Sequence, residues 1–582
     1  MARARKFKSW RSAVTLCAGM LASVAVWISF FSAGSTLGQT VAQNSMISGK
    51  VTADQGVVRA FRVRAKDTVR KITYTVFTNK GRYQIFNLPA GSYEVSALQE
   101  GFESPVQQVQ LKAGGAETAD LTLKAKPPEK LNVDMVDFDG YLPPGRGRDV
   151  FLNRCSGCHG VRLSSAMTGG NAKALFRSEA VWRSEVSRML DRGYGGEQKA
   201  PKLDPAALSS ADREEITKYL AVNFAEDSKP RDLKIAEPVL DEDELAKAIY
   251  IQYELPPGRS GGSTNWPSKV SPTIWFSGGT SIMAMDLNKT MDYPDRYREW
   301  MIPQPDPSYR RAPQHTVVEM GDGHVYWVEL RGTAVGELDP KTGEMKRYPS
   351  PSGAGMHTAW PDSKGRIWYS SIFGPSVVGM FDTKTKKITE FDPSPDRKGG
   401  GWYGIVVDRK DRVWAAGTSV NVLASFDPKT EKWTPHFPPQ KGVDGSEGAM
   451  SSGPRRPTLD SKGRIWFSMT GATALGMFDP ESGKFNEYTI PFRYSMPYEC
   501  WADNEDNVWL DLGWGQKEHT GLARFDPKTE KFTFFPYPNP DDHNAKISVD
   551  QRGILWMGTG RPSQLTSFRP KGNVPSRSPA TN

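Results

Sequence analysis

The chain has 582 residues, 38% of them hydrophobic, with 17 Trp and 26 Phe, so it holds enough core-forming material for about two to four folded domains. Its 55 Gly and 43 Pro favour turns, and therefore short strands over long helices. The formal charge of +9 drops to about +4 once the five cations ahead of position 12 are set aside, too mild and dispersed for a nucleic-acid binder, and four cysteines cannot form a disulfide framework when one of them lies in the N-terminal segment.

Those five cations are Arg3, Arg5, Lys6, Lys8 and Arg11, and an uncharged, mostly apolar run follows from Ala13 to Phe31. Small residues come next, at 32–35 and 41–43. This is the layout of a secretory signal peptide over residues 1–42, of the Sec type because no twin-arginine pair is present. The expected location is the periplasm. The apolar run is about 19 residues, long enough to span a bilayer if left uncut, so membrane contact is expected only in that case.

Residues 43–126 alternate in short runs such as ISGKV, FRVRA, KITYTVF, RYQIF, SYEVSAL and VQQVQL, the pattern of strands in a small β-sandwich. Within them, TNKGRYQIFNLPAGSYEVSALQEGF resembles the carboxypeptidase regulatory-like domain. The resemblance implies an accessory fold without catalysis, a spacer or adhesion module. A Pro- and acid-rich linker covers 127–145.

From 146 to 228 the period becomes helical. Trp182, Val186, Met189 and Leu190 make one apolar stripe, and Ile216, Tyr219, Leu220 and Phe224 make another behind a Ser209 N-cap with Asp212 three residues on. The segment FLNRCSGCHG, 151–160, carries the C-x-x-C-H signature of covalent haem c. Cys155 and Cys158 have the spacing to add to the two haem vinyls, and His159 stands ready as proximal ligand. A thioredoxin-like pair would need flanking strands, and a zinc site would need a second Cys/His pair; neither is visible in the sequence.

The stretches GRGRDVFLNRCSGCHG and LSSADREEITKYLAVNF resemble the small monohaem cytochrome c domains, which implies an all-α fold around one haem and a periplasmic redox partner protein. His159 is the first histidine of the chain and the next is His315, so the sixth ligand within the domain falls to Met189, which precedes Gly193, to Met167, or to an open position. Cys500 reads as a small buried hydrophobe.

Over 229–575 a repeat takes over, with Trp275, Trp327, Trp368, Trp414, Trp466, Trp509 and Trp556 spaced 41 to 52 residues apart. Each repeat reads like DSKGRIW, a strand such as VVGMFD, a Lys-Thr turn and a strand such as KITEFD, which is the signature of a four-stranded propeller blade. A ring of seven must close, or its end blades expose unpaired edges. The last repeat lacks a fourth strand, and IYIQYELPPG, just ahead of the first repeat, reads as the strand that completes it. Residues 576–582 are expected to form a disordered tail. The expected fold class is therefore multidomain and mainly β: a small β-sandwich, then an all-α cytochrome c domain, then a seven-bladed β-propeller.

The repeats resemble the streptogramin-lyase (virginiamycin B lyase) propellers, whose enzyme opens a cyclic depsipeptide by elimination with Mg²⁺. That family uses histidines opening the inner strands of two successive blades, a Glu two residues before one of them, and a Glu shortly after a blade Trp. Here His315 and His357 open successive blades, but Pro313 and Gly355 stand where the acid should be. Asp541 precedes His543 by two, yet the blade before opens with Tyr498; Glu329 and Asp511 lie only two residues beyond their tryptophans. Two functions stay open: one-electron transfer through a haem, with the propeller binding a partner or a small-molecule substrate in its channel or hosting an oxidation, or a lyase or non-catalytic binding propeller.

Overall fold

The computed structural model describes residues 45–126, 143–151, 177–192, 209–227, 239–259 and, from 264 to 574, the blades apart from 279–280, 304–313, 331, 394–400, 418–420, 440–452, 471–473, 492–496, 513–519, 540–545 and 561–562. Strands dominate it, and only four helices occur among the described residues.

The N-terminal unit is a sandwich of two sheets. One runs β4 (Arg82–Phe86), β1 (Met46–Ala53), β9 (Leu121–Ala125), β6 (Phe102–Glu103), with β8 (Ala116–Thr118) beside β1. The other runs β7 (Gln107–Leu111), β5 (Gly91–Leu98), β2 (Arg62–Asp67), β3 (Ile72–Phe77). Alternation in the sequence becomes alternation in burial: Tyr93, Val95 and Ala97 face inward along β5, while Glu94 and Ser96 do not.

Six four-stranded sheets follow in chain order, and a seventh is assembled from both ends of the repeat region. The inner strands are Asn265–Pro267, Gln314–Glu319, Gly355–Pro361, Gly404–Val407, Pro457–Leu459, Cys500–Ala502 and Ile547–Val549. All seven spacing tryptophans are at most 1% exposed. Trp368, Trp414, Trp466, Trp509 and Trp556 donate Nε1 to the aspartate six residues earlier, Asp362, Asp408, Asp460, Asp503 and Asp550, at 2.7–3.2 Å. The same aspartates accept backbone N–H groups of the turn, as Asp460 does from Lys462 and Arg464 at 3.0 Å. One carboxylate thus fixes both a tight turn and the orientation of the blade's largest side chain. Gly336 lets Trp327 cross its sheet, since a Cβ there would lie 1.9 Å from the indole.

The seventh blade holds Ile547–Val549, Leu555–Gly560, Ser563–Arg569 and, as its outer strand, β10 (Ile249–Glu254). β10 runs antiparallel to Ser563–Arg569 from Ile249↔Arg569 to Glu254↔Gln564, which closes the ring with the segment the sequence points to. Its other edge is also paired, with β3 of the sandwich, from Tyr250↔Thr75 to Tyr253↔Ile72. One eight-stranded sheet therefore joins blade seven to the sandwich. The N-terminal unit, expected as a spacer, is built into the propeller.

The all-α cytochrome c domain expected over 146–228 is not borne out. The described helices there are α1 (Arg146–Val150), α2 (Glu179–Arg192) and α3 (Ser210–Asn223), and a fourth, α4 (Glu242–Lys247), leads into β10. The local signals hold: Ser209 accepts from Asp212 N at 3.0 Å, and Ile216, Tyr219, Leu220 and Phe224 are buried. These helices pack directly on one another, Trp182 Nε1 donating to Phe224 O at 2.9 Å and Gly147 lying so near Tyr219 that a Cβ would meet it at 2.1 Å. The mass of the fold is strand, and the helices are a minor addition to it. No helix among the described residues is long and apolar enough to cross a membrane.

Tyr250 on β10 is fully buried, packs on Phe568 at 4.4 Å and Phe77 at 6.3 Å between ring centroids, and donates to Phe535 O at 3.2 Å. Its replacement in Tyr250→Ala should cost about 3–5 kcal/mol, the usual range for a buried aromatic truncated to alanine. Because β10 serves both units, urea unfolding should show the sandwich and the propeller shifting together to a lower midpoint. Two transitions, only one of them displaced, would contradict a shared strand.

Candidate functional site

Seven inner strands converge where the blades begin, and each brings a polar residue about ten positions ahead of its tryptophan. In blade order these are Asn265, His315, His357, Tyr403, Arg456, Glu499 and Lys546, with Arg455 and Tyr498 one residue earlier in their blades. Tyr403 is half-buried; the rest are buried, Arg455 at 1% exposure, Arg456 at 3% and Lys546 at 4%.

They touch in sequence around the ring. Lys546 Nζ lies 2.6 Å from His315 Nε2. The His315 and His357 rings stack with centroids 3.8 Å apart, and His357 Nδ1 donates to Tyr403 O at 2.9 Å. The Tyr403 and Tyr498 hydroxyls are hydrogen-bonded to each other, and Arg455 Nη2 donates to Tyr403 Oη at 2.7 Å. The Arg455 guanidinium sits 4.3 Å and 4.1 Å from the two tyrosine centroids, a double cation–π contact. Arg456 Nη1 donates to Glu499 Oε1 at 3.1 Å, while Glu499 Oε2 accepts from Ile547 N at 3.1 Å.

Burial and mutual charge shift these groups strongly. Desolvation, followed by the Lys546 and Arg456 charges, holds His315 well below the usual imidazole range. Desolvation, with His315, Arg456 and Lys546 behind it, does the same to His357. Lys546 is depressed by desolvation and by Arg456, only partly offset by Glu499. Glu499 is raised by desolvation despite Arg456 and Lys546 beside it. The axis is thus a nearly dry cluster in which both imidazoles are neutral.

The expected residues fare differently. His315 and His357 do come together. Glu329 is a structural acid, accepting from Trp327 Nε1 at 3.1 Å and from the Nε and Nη2 edge of Arg347. Asp511 accepts from Tyr537 Oη at 2.6 Å, away from the histidines. Cys500 is buried, its thiol pushed well up by desolvation and donating to Arg456 O at 3.2 Å. Asp541, His543, Met167, Cys155, Cys158 and His159 lie outside the described residues, and Met189 falls in α2 with its side chain outside them.

The expected cofactors are not upheld. Among the described residues no group of three His, Cys, Asp or Glu could hold a metal ion, and the architecture is a propeller in place of the haem c domain. Mg²⁺ fails a direct fit as well. Among the described residues Lys546 and Arg456 act on the two histidines and would repel a dication, and Glu499 is held by Arg456 and Ile547 N. Sequence reading passed over Tyr403, Arg455, Arg456, Glu499 and Lys546. The signal that finds them is the column about ten residues ahead of each blade tryptophan, read across repeats.

The sign of the pH dependence follows. The unfolded chain protonates its histidines near pH 6.5, whereas folded His315 and His357 refuse the proton until well below that. Stability should therefore fall as pH drops below 6.5, by on the order of 1 kcal/mol per pH unit for each histidine. Glu499 opposes this, since its raised carboxyl gains a proton sooner when folded, whereas the depressed His436 and Lys546 act in the same direction as the two axial histidines. Urea midpoints at pH 7.5 and 5.5 should differ in the wild type, and the difference should shrink in His315→Gln/His357→Gln, leaving the smaller part due to His436. An unchanged difference in that variant would assign the slope elsewhere.

Residues 46–124 match the carboxypeptidase regulatory-like domain family. No curated protein matches the chain. Among solved structures the chain is similar to a streptogramin B lyase, at 18% identity over 55% of this chain and 97% of that one, with a TM-score of 0.46. It is similar also to a catalytically inactive virginiamycin B lyase from Staphylococcus aureus with quinupristin, at 16% identity over 55% and 99% of the two chains and a TM-score of 0.46. A third is the extracellular domain of a one-component system from B. thetaiotaomicron, at 13% identity over 54% and 39% and a TM-score of 0.41.

Proposed function

We propose that the propeller is a ligand-binding module whose site is the axial cluster, and that it performs no metal-dependent elimination. The observation that carries this reading is the pairing of His315 with Lys546 at 2.6 Å. A lyase of the kind the repeats resemble needs a base free to take a proton and carboxylates to hold Mg²⁺. Here a lysine stands on the Nε2 of His315, burial together with Lys546 and Arg456 holds both imidazoles well below their usual range, and Glu499 is taken by an arginine. What remains directed at the axis is a set of hydrogen-bond donors and aromatic faces, which suits recognition. The basic and then apolar N-terminus supports an exported location for this module.

Incubation of the full-length protein with quinupristin and Mg²⁺, followed by mass spectrometry, should return the cyclic compound unchanged. A linearised product above the protein-free control, lost in His315→Ala, would overturn the binding-module reading.

A further inference from the structure

Arg456 is 97% buried by its 3% exposure, yet only its Nη1 is engaged, by Glu499. Its Nε and Nη2 are buried with no hydrogen-bond partner among the described residues. Those two donors form the side-on edge of the guanidinium, the edge that takes a carboxylate with two parallel bonds. The same edge of Arg347 in this protein holds Glu329 in that manner. Leaving two donors of a charged group dry and unmade is costly, and a bound partner is one arrangement that would relieve the cost.

A second, separate pair of unbonded polar atoms belongs to the same set of inner-strand starts. Asn265, 4% exposed at the start of the first inner strand, has neither Oδ1 nor Nδ2 bonded among the described residues. Around both, the charges are of one sign: Arg455, Arg456 and Lys546 stand against Glu499 alone among the described residues that line the axis. The guanidinium planes are held in place by Tyr403 and Tyr498, at 5.5 and 5.3 Å from Arg456. A donor edge that is pre-oriented, desolvated and cationic binds an oxyanion without first having to be ordered.

We propose that the axial cluster binds the oxyanion of a small organic acid, carboxylate or phosphate, with the Nε and Nη2 of Arg456 taking it side-on, Lys546 adding charge, and Asn265 receiving a hydroxyl or amide of the same ligand. The proposal deepens, and rests on, the reading of the propeller as a binding module.

Two probes test it on the full-length protein: inorganic phosphate and citrate, titrated by calorimetry and by thermal shift against sodium chloride at matched ionic strength. At least one should bind saturably at one site per chain, and which one binds tells phosphate from carboxylate as the source. Arg456→Met/Glu499→Gln, which removes both members of the buried pair, should weaken that binding by about ten-fold or more, the loss of roughly one charge-assisted hydrogen bond. Lys546→Gln carries the same expectation and serves if the double variant does not fold. Absence of saturable binding by both probes, or equal affinity in the variants, overturns the site. Linearisation of quinupristin by a protein that still binds the anion overturns the binding-module reading and leaves the oxyanion site standing, so the two failures are distinct.

Discussion

β10 is hydrogen-bonded along both edges, and most of the architecture depends on that. A propeller ring is stable only if its last blade finds a fourth strand, and a small sandwich is stable only if its edges are covered. Here one strand answers both needs, pairing Ser563–Arg569 on one side and β3 on the other. The side chains reinforce the junction. Arg62 Nε donates to Tyr537 O at 2.6 Å, Asn573 Nδ2 to Gln84 O at 2.8 Å, and the fully buried Arg296 reaches Arg70 O at 2.7 Å. Buried arginines that end on backbone carbonyls satisfy groups the strands leave over and fix how the two units meet.

Closure also makes the axial site. Seven inner strands are splayed in sequence over nearly three hundred residues, and only a closed ring sets His315 against Lys546, from blades two and seven. Their proximity is therefore a report on ring geometry. Bringing so many ionisable groups into a dry centre costs free energy, and the shifted imidazoles, amine and carboxyl record that cost. Proteins keep such arrangements where function needs them, because a polar network with empty donors is worse for stability than an apolar plug.

Much of the fold was legible in the sequence for physical reasons that can be named. A tryptophan every 41 to 52 residues marks a side chain that each blade must bury, and the aspartate six residues ahead of five of them is the partner its indole requires. The closing strand was legible because the last repeat was one strand short. The pairing of β10 with β3 was not, since nothing local distinguishes an edge that meets solvent from one that meets a strand far away in the chain. The axial residues were hidden for a related reason. Each blade brings only one or two polar residues at a strand start, unremarkable within their own repeat, and only His315 and His357 share a residue type that draws the eye. The opposite error arose at 146–228, where local helix signals, the Ser209 cap and the stripe from Ile216 to Phe224 among them realised, were extended into a whole haem-binding domain that the structure does not bear out.

The sandwich and the axis are linked by that same sheet. From Lys546 the chain enters Ile547–Val549, and the ladder continues through Leu555–Gly560, Ser563–Arg569 and β10 into β3 and β2 without a break. A hydrogen-bonded sheet with buried faces resists shear, so the sandwich cannot rotate freely against the propeller as a tethered spacer would. The strand that closes the ring thus also fixes how the sandwich is joined to the ring that carries the axial site.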